Sequence, residues 1–230
     1  MKEKRPLILI ANDDGYQAKG INCLIDMLRD MADLIVCAPD AGRSGFACAF
    51  SATKPLRLEK VREEEGLQVW WCNGTPVDCV KMALHCICPR RPDMIVGGIN
   101  HGDNASVNTH YSGTMGVVME GCMKYIPSVA FSLCDFRADA DFEPMRDIVR
   151  ELQNGVIALL PLIRGEVVTI LRHGNNLFLN LPFRISRCSI EEAFSLEFDK
   201  VSVDRATVCP VALRRENRRW INALEMQTVF

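Results

Sequence analysis

Residues 12–15, Asn12-Asp13-Asp14-Gly15, close a short apolar run, Leu7-Ile8-Leu9-Ile10-Ala11. Two carboxylates side by side repel each other, so the pair is costly unless a cation or strong donors lie between them. Alone, Asp-Asp-Gly reads as a polar turn with one Asp capping the next helix. Further polar loops change that reading. Gly42-Arg43-Ser44-Gly45 follows the run Leu34-Ile35-Val36-Cys37, and Gly97 to Asn104 follows Met94-Ile95-Val96. In an open α/β sheet, loops at the carboxyl ends of strands gather on one edge. These three loops offer two carboxylates, the Ser44 hydroxyl and the amide oxygens of Asn100 and Asn104. All are hard oxygen donors, a set that suits Mg²⁺, Mn²⁺ or Ca²⁺ better than zinc. A fourth segment, His110-Tyr111-Ser112-Gly113-Thr114, opens a helical pattern. The unpaired N–H groups of a helix start favour an anion. A cation site beside such a start points to a phosphate.

The elements that must position these loops alternate between strand and helix. Strands are expected at Leu7–Ala11, Asp33–Ala38, Asp93–Gly97, Pro127–Leu133 and Leu177–Leu181. Between them, Ile21, Leu24, Ile25 and Leu28 keep helical spacing, as do Met115, Val118, Met119 and Cys122 after Ser112. Thr75-Pro76-Val77-Asp78 is a helix start, with Thr75 as cap, Pro76 in the first turn and Asp78 completing a capping box. Met145 to Ile157 makes a long amphipathic pattern. Lys54–Leu58 and Leu67–Cys72 are expected to pair as a hairpin around a solvated turn, Arg62–Gly66. Strands separated by helices imply right-handed βαβ units and a mainly parallel sheet flanked by helices. Residues 1–183 form this unit, and residues 184–230 form an irregular or strand-rich C-terminal extension.

Composition narrows the function classes. The chain has 230 residues, 48% hydrophobic and 24% charged, enough for a sizeable core. A net charge of −2 supplies no surface for a nucleic-acid polymer or an acidic membrane. The run Leu7–Ala11 is too short for a signal peptide or a membrane span, so a cytoplasmic protein is expected. Eleven scattered cysteines without a Cys-x-x-Cys pair read as reduced, mostly buried thiols. Neither Gly-x-Ser-x-Gly nor a Walker loop is present. Arg43 is placed either on a phosphoryl group or on an Asp of its own loop. His101 and His110 are read as structural or rim residues.

The motifs together resemble those of the SurE stationary-phase survival nucleotidases. The matching pieces are Asn-Asp-Asp-Gly at 12–15, Ala-Pro-Asp at 38–40, Arg-Ser-Gly at 43–45, Gly-Thr-Pro-Val-Asp-Cys-Val at 74–80, Arg-Pro-Asp at 91–93, Gly-Ile-Asn at 98–100 and Tyr-Ser-Gly-Thr at 111–114. The resemblance extends to about residue 183 and then runs out of recognisable motifs. It implies a Rossmann-like fold and a divalent-metal-dependent phosphomonoesterase that hydrolyses nucleoside 5′- and 3′-monophosphates through a metal-activated water. It places one cation (Mg²⁺, Mn²⁺ or Ca²⁺) on Asp13, Asp14, Ser44 and Asn100. The phosphate falls on Asn104, Ser112, Gly113 and Thr114, and the catalytic set on Asp13, Asp14 and Asn104. A nucleotide-binding or assembly protein with little catalysis is the alternative, because the C-terminal region departs from the family. The apolar residues of that region, Trp220 and Ile221 among them, need a surface to cover them, and a homodimer or larger homo-oligomer is expected.

Overall fold

The computed structural model describes residues 5–104, 106–150, 166–173, 176–184 and 211–212. Among the described residues, nine strands form one sheet: β1 (Leu7–Ala11), β2 (Asp33–Pro39), β3 (Leu58–Glu64), β4 (Leu67–Cys72), β5 (Met94–His101), β6 (Ser128–Leu133), β7 (Glu166–His173), β8 (Asn176–Arg184) and β9 (Val211–Ala212). Their order is β3-β4-β2-β1-β5-β6-β7-β8-β9. Strands β4, β2, β1, β5, β6 and β7 run parallel. Strand β3 joins one side antiparallel, and β8 and β9 join the other. The chain reverses direction across the sheet at β1, which has β2 on one side and β5 on the other. The crevice beyond the carboxyl ends of β1 and β5 is therefore the topological switch point, where ligands bind in such sheets.

Among the described residues, helices α1 (Lys19–Leu28), α2 (Pro76–Met82) and α3 (Gly113–Met123) pack on the sheet. Alternate residues of β1 face opposite layers. Ile8 and Ile10 join Ile21, Leu24, Ile25 and Leu28 of α1, along with Phe142, Met145 and Val149. Leu7, Leu9 and Ala11 join Cys79 and Val80 of α2, and Met115, Val118 and Cys122 of α3. Gly20 lets α1 press onto β5, since a Cβ there would meet the Ile99 carbonyl oxygen at 2.0 Å. All the described cysteines are free thiols; Cys37, Cys72, Cys79 and Cys122 are buried, while Cys23, Cys88 and Cys134 are half-buried and Cys48 and Cys86 exposed, so fewer are buried than the sequence suggests. No helix among the described residues is long and apolar enough to cross a membrane.

Several elements differ from their sequence expectation. The hairpin uses Leu58–Glu64 as its first strand and turns at Glu65-Gly66, so most of the charged stretch is strand rather than turn. Its residues are largely exposed because β3 is an edge strand, and charge along an edge discourages pairing with other chains. The segment Gly97–Asn100 belongs to β5 instead of a loop, with an extra residue there relative to Ala130–Ser132 of β6. Glu166–His173 was not anticipated as a strand, although its run Val167-Val168-Thr169-Ile170-Leu171 is β-branched and apolar. Of the Met145–Ile157 pattern, residues 146–150 are helical and the rest lies outside the described residues. Trp220 and Ile221 lie outside them as well. Within residues 184–230, β9 pairs with β8 through Phe178↔Ala212 and Leu179↔Val211.

Candidate active site

The loop after β1 is set by Asn12. Its side chain is fully buried, donates to the Gly15 carbonyl at 3.0 Å and accepts the Gly15 N–H at 3.2 Å. Gly15 takes φ +101°, a left-handed conformation that glycine adopts freely. This clamp holds Asp13 and Asp14 at the switch point. Asp13 is 3% exposed, and its carboxylate accepts the Gly113 N–H at 3.2 Å and the Thr114 hydroxyl. Asp14 accepts the His101 N–H at 3.3 Å, which ties it to the end of β5.

Both carboxyls are weaker acids than usual. Burial pushes Asp13 up to about 6, against the pull of the Thr114 hydrogen bond and with help from the charge of Asp14. Burial also raises Asp14, opposed by the N–H and the charge of His101. Among the described residues, no Lys or Arg forms an ion pair with either carboxylate. Two adjacent carboxylates without a cationic partner form a site of unbalanced negative charge.

Asn100 is buried on the bulged end of β5 and donates its amide to the Gly102 carbonyl at 3.1 Å, leaving its amide oxygen as an acceptor. Asn104 donates to the Ser132 hydroxyl at 2.8 Å, and its own carbonyl accepts the Thr109 hydroxyl at 2.7 Å. Ser112 caps α3, with its Oγ accepting the Met115 N–H at 3.0 Å. Gly113 permits the meeting of α3 with the Asp loop, because a Cβ there would stand 2.6 Å from the Asp13 Cβ. His101 Nε2 is the one buried side-chain nitrogen or oxygen among the described residues that has no hydrogen-bond partner, and its ring packs edge-on against Phe142.

Ser44 lies exposed on the loop between β2 and β3. The preceding residue anchors it, since the Arg43 N–H donates to the Asp13 carbonyl at 2.6 Å. The Arg43 side chain pairs with Asp40 at 2.7 Å, so of its two expected roles the structure displays the pairing within its own loop. Further along, the Ala47 N–H donates to the Tyr111 carbonyl at 3.1 Å, joining this loop to the start of α3.

A family model described as "Survival protein SurE" matches residues 8–206. The chain belongs to the SurE family. It is 48% identical over 223 residues to a protein of Phocaeicola vulgatus named "5'-nucleotidase SurE", an alignment that covers 96% of this chain and 75% of the relative. Relatives of the same name from Bacteroides thetaiotaomicron and Bacteroides fragilis are 55% and 52% identical over 152 residues. That is 66% of this chain, and the chain spans 59% and 60% of those relatives' lengths. The crystal structure of the SurE protein from Aquifex aeolicus superposes with a TM-score of 0.65 at 32% identity, covering 72% of this chain and 65% of that one. The SurE match thus continues beyond residue 183, where short motifs can no longer be followed by eye.

The SurE motifs are brought together unevenly. Asp13, Gly113 and Thr114 meet directly, Asp14 meets the strand that carries Asn100, and the Ser44 loop docks on Asp13 through Arg43. Thr114 and Gly113, expected on the phosphate, spend their hydroxyl and N–H on Asp13 instead. The donor set fits a hard cation: two carboxylates, a hydroxyl and an amide oxygen, all oxygen, beside uncompensated negative charge. No group of three His, Cys, Asp or Glu side chains suited to a metal occurs among the described residues. Sequence reading missed the Asn12 clamp, though its signal is visible in the Asn-x-x-Gly spacing. It also missed the support of Asp13 by Thr114, for which no local signal exists.

Proposed function

We propose that this chain is a divalent-metal-dependent phosphomonoesterase acting on nucleoside 5′-monophosphates, and on 3′-monophosphates at the same site. The observation that carries the reading is the abutment of the α3 N-terminus on Asp13, which puts an anion-favouring helix start against a cation-seeking carboxylate pair. The curated relatives' name, 5′-nucleotidase, supports the substrate class.

Asp13, Asp14, Ser44 and Asn100 would hold one Mg²⁺, Mn²⁺ or Ca²⁺. When bound, the cation supplies positive charge for the phosphoryl group and acidifies water for attack. The chain's own residues do the rest. Thr114 and Gly113 orient the Asp13 carboxylate. Ser112 accepts from Met115 yet keeps its O–H to donate to a phosphate oxygen. Asn104 carries two amide N–H groups, one of them engaged by Ser132, so a second remains for the substrate. Carboxylates committed to a cation are poor nucleophiles, which favours water over Asp13 or Asp14 as the attacking group. The working unit in this reading is a homodimer that covers the apolar residues of 184–230.

Phosphate release from a panel of nucleoside monophosphates, with Mn²⁺ and with EDTA, tests the reading. Release that requires Mn²⁺ and disappears in Asp13→Asn is expected. Nucleotide binding without metal-dependent release would make the chain a nucleotide-binding or assembly protein instead.

A further inference from the structure

The motif Gly74-Thr75-Pro76-Val77-Asp78 has no part in the site described so far, yet its polar atoms reach beyond their own helix. In an ordinary capping box the N-cap and third-residue side chains satisfy each other's backbone N–H groups. That exchange is present: the Asp78 N–H donates to Thr75 Oγ1 at 3.1 Å, and the Thr75 N–H donates to Asp78 Oδ2 at 2.9 Å. Each side chain then makes a second bond, to the loop between β2 and β3. The Ser51 N–H donates to the Asp78 carboxylate oxygens at 2.9 and 3.2 Å, and the Thr75 hydroxyl donates to the Ala49 carbonyl at 2.7 Å. Asp78 is 2% exposed, and its carboxyl sits below the usual range because the N–H donors of Thr75 and Ser51 outweigh the effect of burial.

The loop needs such support. Ser44, Gly45 and Phe46 are exposed, and a Cβ on Gly45 would touch nothing within 4 Å. Side-chain packing at these three positions therefore does little to fix the stretch. It is fixed at one end by Arg43 on Asp13 and at the other by Ala47 on Tyr111, then by Ala49 and Ser51 on the capping box. Two N–H groups converge on the Asp78 carboxylate. An amide there would offer one oxygen and turn its own donor against the other N–H.

We propose that Thr75 and Asp78 are positioning residues that hold the Ser44 loop against Asp13 and so set the affinity of the cation site. This rests on the metal-dependent reading above. Partners that orient metal ligands from behind typically change metal affinity by about 10–100-fold when removed.

Calorimetric titration with Mn²⁺ alone tests it, with thermal unfolding measured alongside. Asp78→Asn and Thr75→Val are expected to weaken Mn²⁺ binding about tenfold, while Thr75→Ser, which keeps both hydroxyl bonds, retains wild-type affinity. Ile25→Val provides a control for general destabilisation. It trims a buried side chain of α1 on the other face of the sheet, and should lower thermal stability by about 0.5–1.5 kcal/mol without moving the Mn²⁺ affinity. If Asp78→Asn does not fold, the two Thr75 variants decide. Folded Thr75→Val or Asp78→Asn protein with wild-type Mn²⁺ affinity overturns the proposal, as does equal weakening in Ile25→Val. Wild-type protein that binds no Mn²⁺ overturns the metal reading itself, and the positioning role with it.

Discussion

The Gly113 N–H donates to the Asp13 carboxylate at 3.2 Å across 100 residues of chain, and the two residues pack so closely that a Cβ on Gly113 would come within 2.6 Å of the Asp13 Cβ. The start of α3 and the loop after β1 are thus one unit. Neither can be altered without moving the other.

Gly113→Ala is the direct test of that contact. The added methyl also meets Pro76 Cγ at 2.9 Å, so it has no direction in which to relax. A stability loss of about 1–3 kcal/mol is expected, the range for overpacking a tight core, together with weaker Mn²⁺ binding. Denaturant unfolding and metal titration measure both. An unchanged midpoint with wild-type metal affinity would show that the contact tolerates a methyl group.

The metal-free protein should become less stable as pH rises through the range where Asp13 ionises. Its carboxyl titrates at about 6 in the fold against 3.8 ordinarily, so the folded chain holds the proton more tightly than the unfolded one. That contribution is fully present below pH ~4 and is lost as pH rises to ~6 and beyond. A shift of about two units corresponds to about 3 kcal/mol. Asp13→Asn removes the titration but also loses the Gly113 bond, worth about 1 kcal/mol, so a net gain of about 1–2 kcal/mol at pH 7.5 is expected. Unfolding in EDTA at pH 4.5 and 7.5 checks this, and a variant with the wild-type pH dependence would exclude Asp13 as the source.

Gly20→Ala should damage the fold more than the site. Its Cβ would sit 2.0 Å from the backbone oxygen of Ile99, which cannot rotate away. A loss near the upper end of the overpacking range, about 3 kcal/mol, is expected in urea unfolding. A neutral result would mean that α1 shifts on the sheet at little cost.

The full chain is expected to be a dimer at micromolar concentration. The segment 184–230 carries apolar residues, among them Val201, Val203, Trp220 and Ile221, but has too little length for a large core of its own. Light scattering gives the mass directly, and a monomer would remove the oligomer from the functional reading.

By itself the sequence determined the strands β1, β2, β4, β5 and β6, the helices α1, α2 and α3 and the edge on which the polar loops lie, while the parallel strand β7 escaped it. Those features follow from short-range rules. Strand runs, the helical stripe Ile21-Leu24-Ile25-Leu28 and the Thr75–Asp78 capping box each span only a few residues, so their signals are complete within a window. The tertiary structure decided how the parts are used. Charged residues of β3 became strand because β4 offered them backbone partners. Gly97–Asn100 became a strand bulge because β6 lies alongside. Thr114 turned to Asp13 and Arg43 to Asp40, while Thr75 and Asp78 reached across to Ala49 and Ser51. A hydroxyl or carboxylate has several possible partners, and a local window does not contain the distant ones. Which partner wins depends on the backbone groups that folding brings within about 3 Å, and that is settled only when the whole sheet closes.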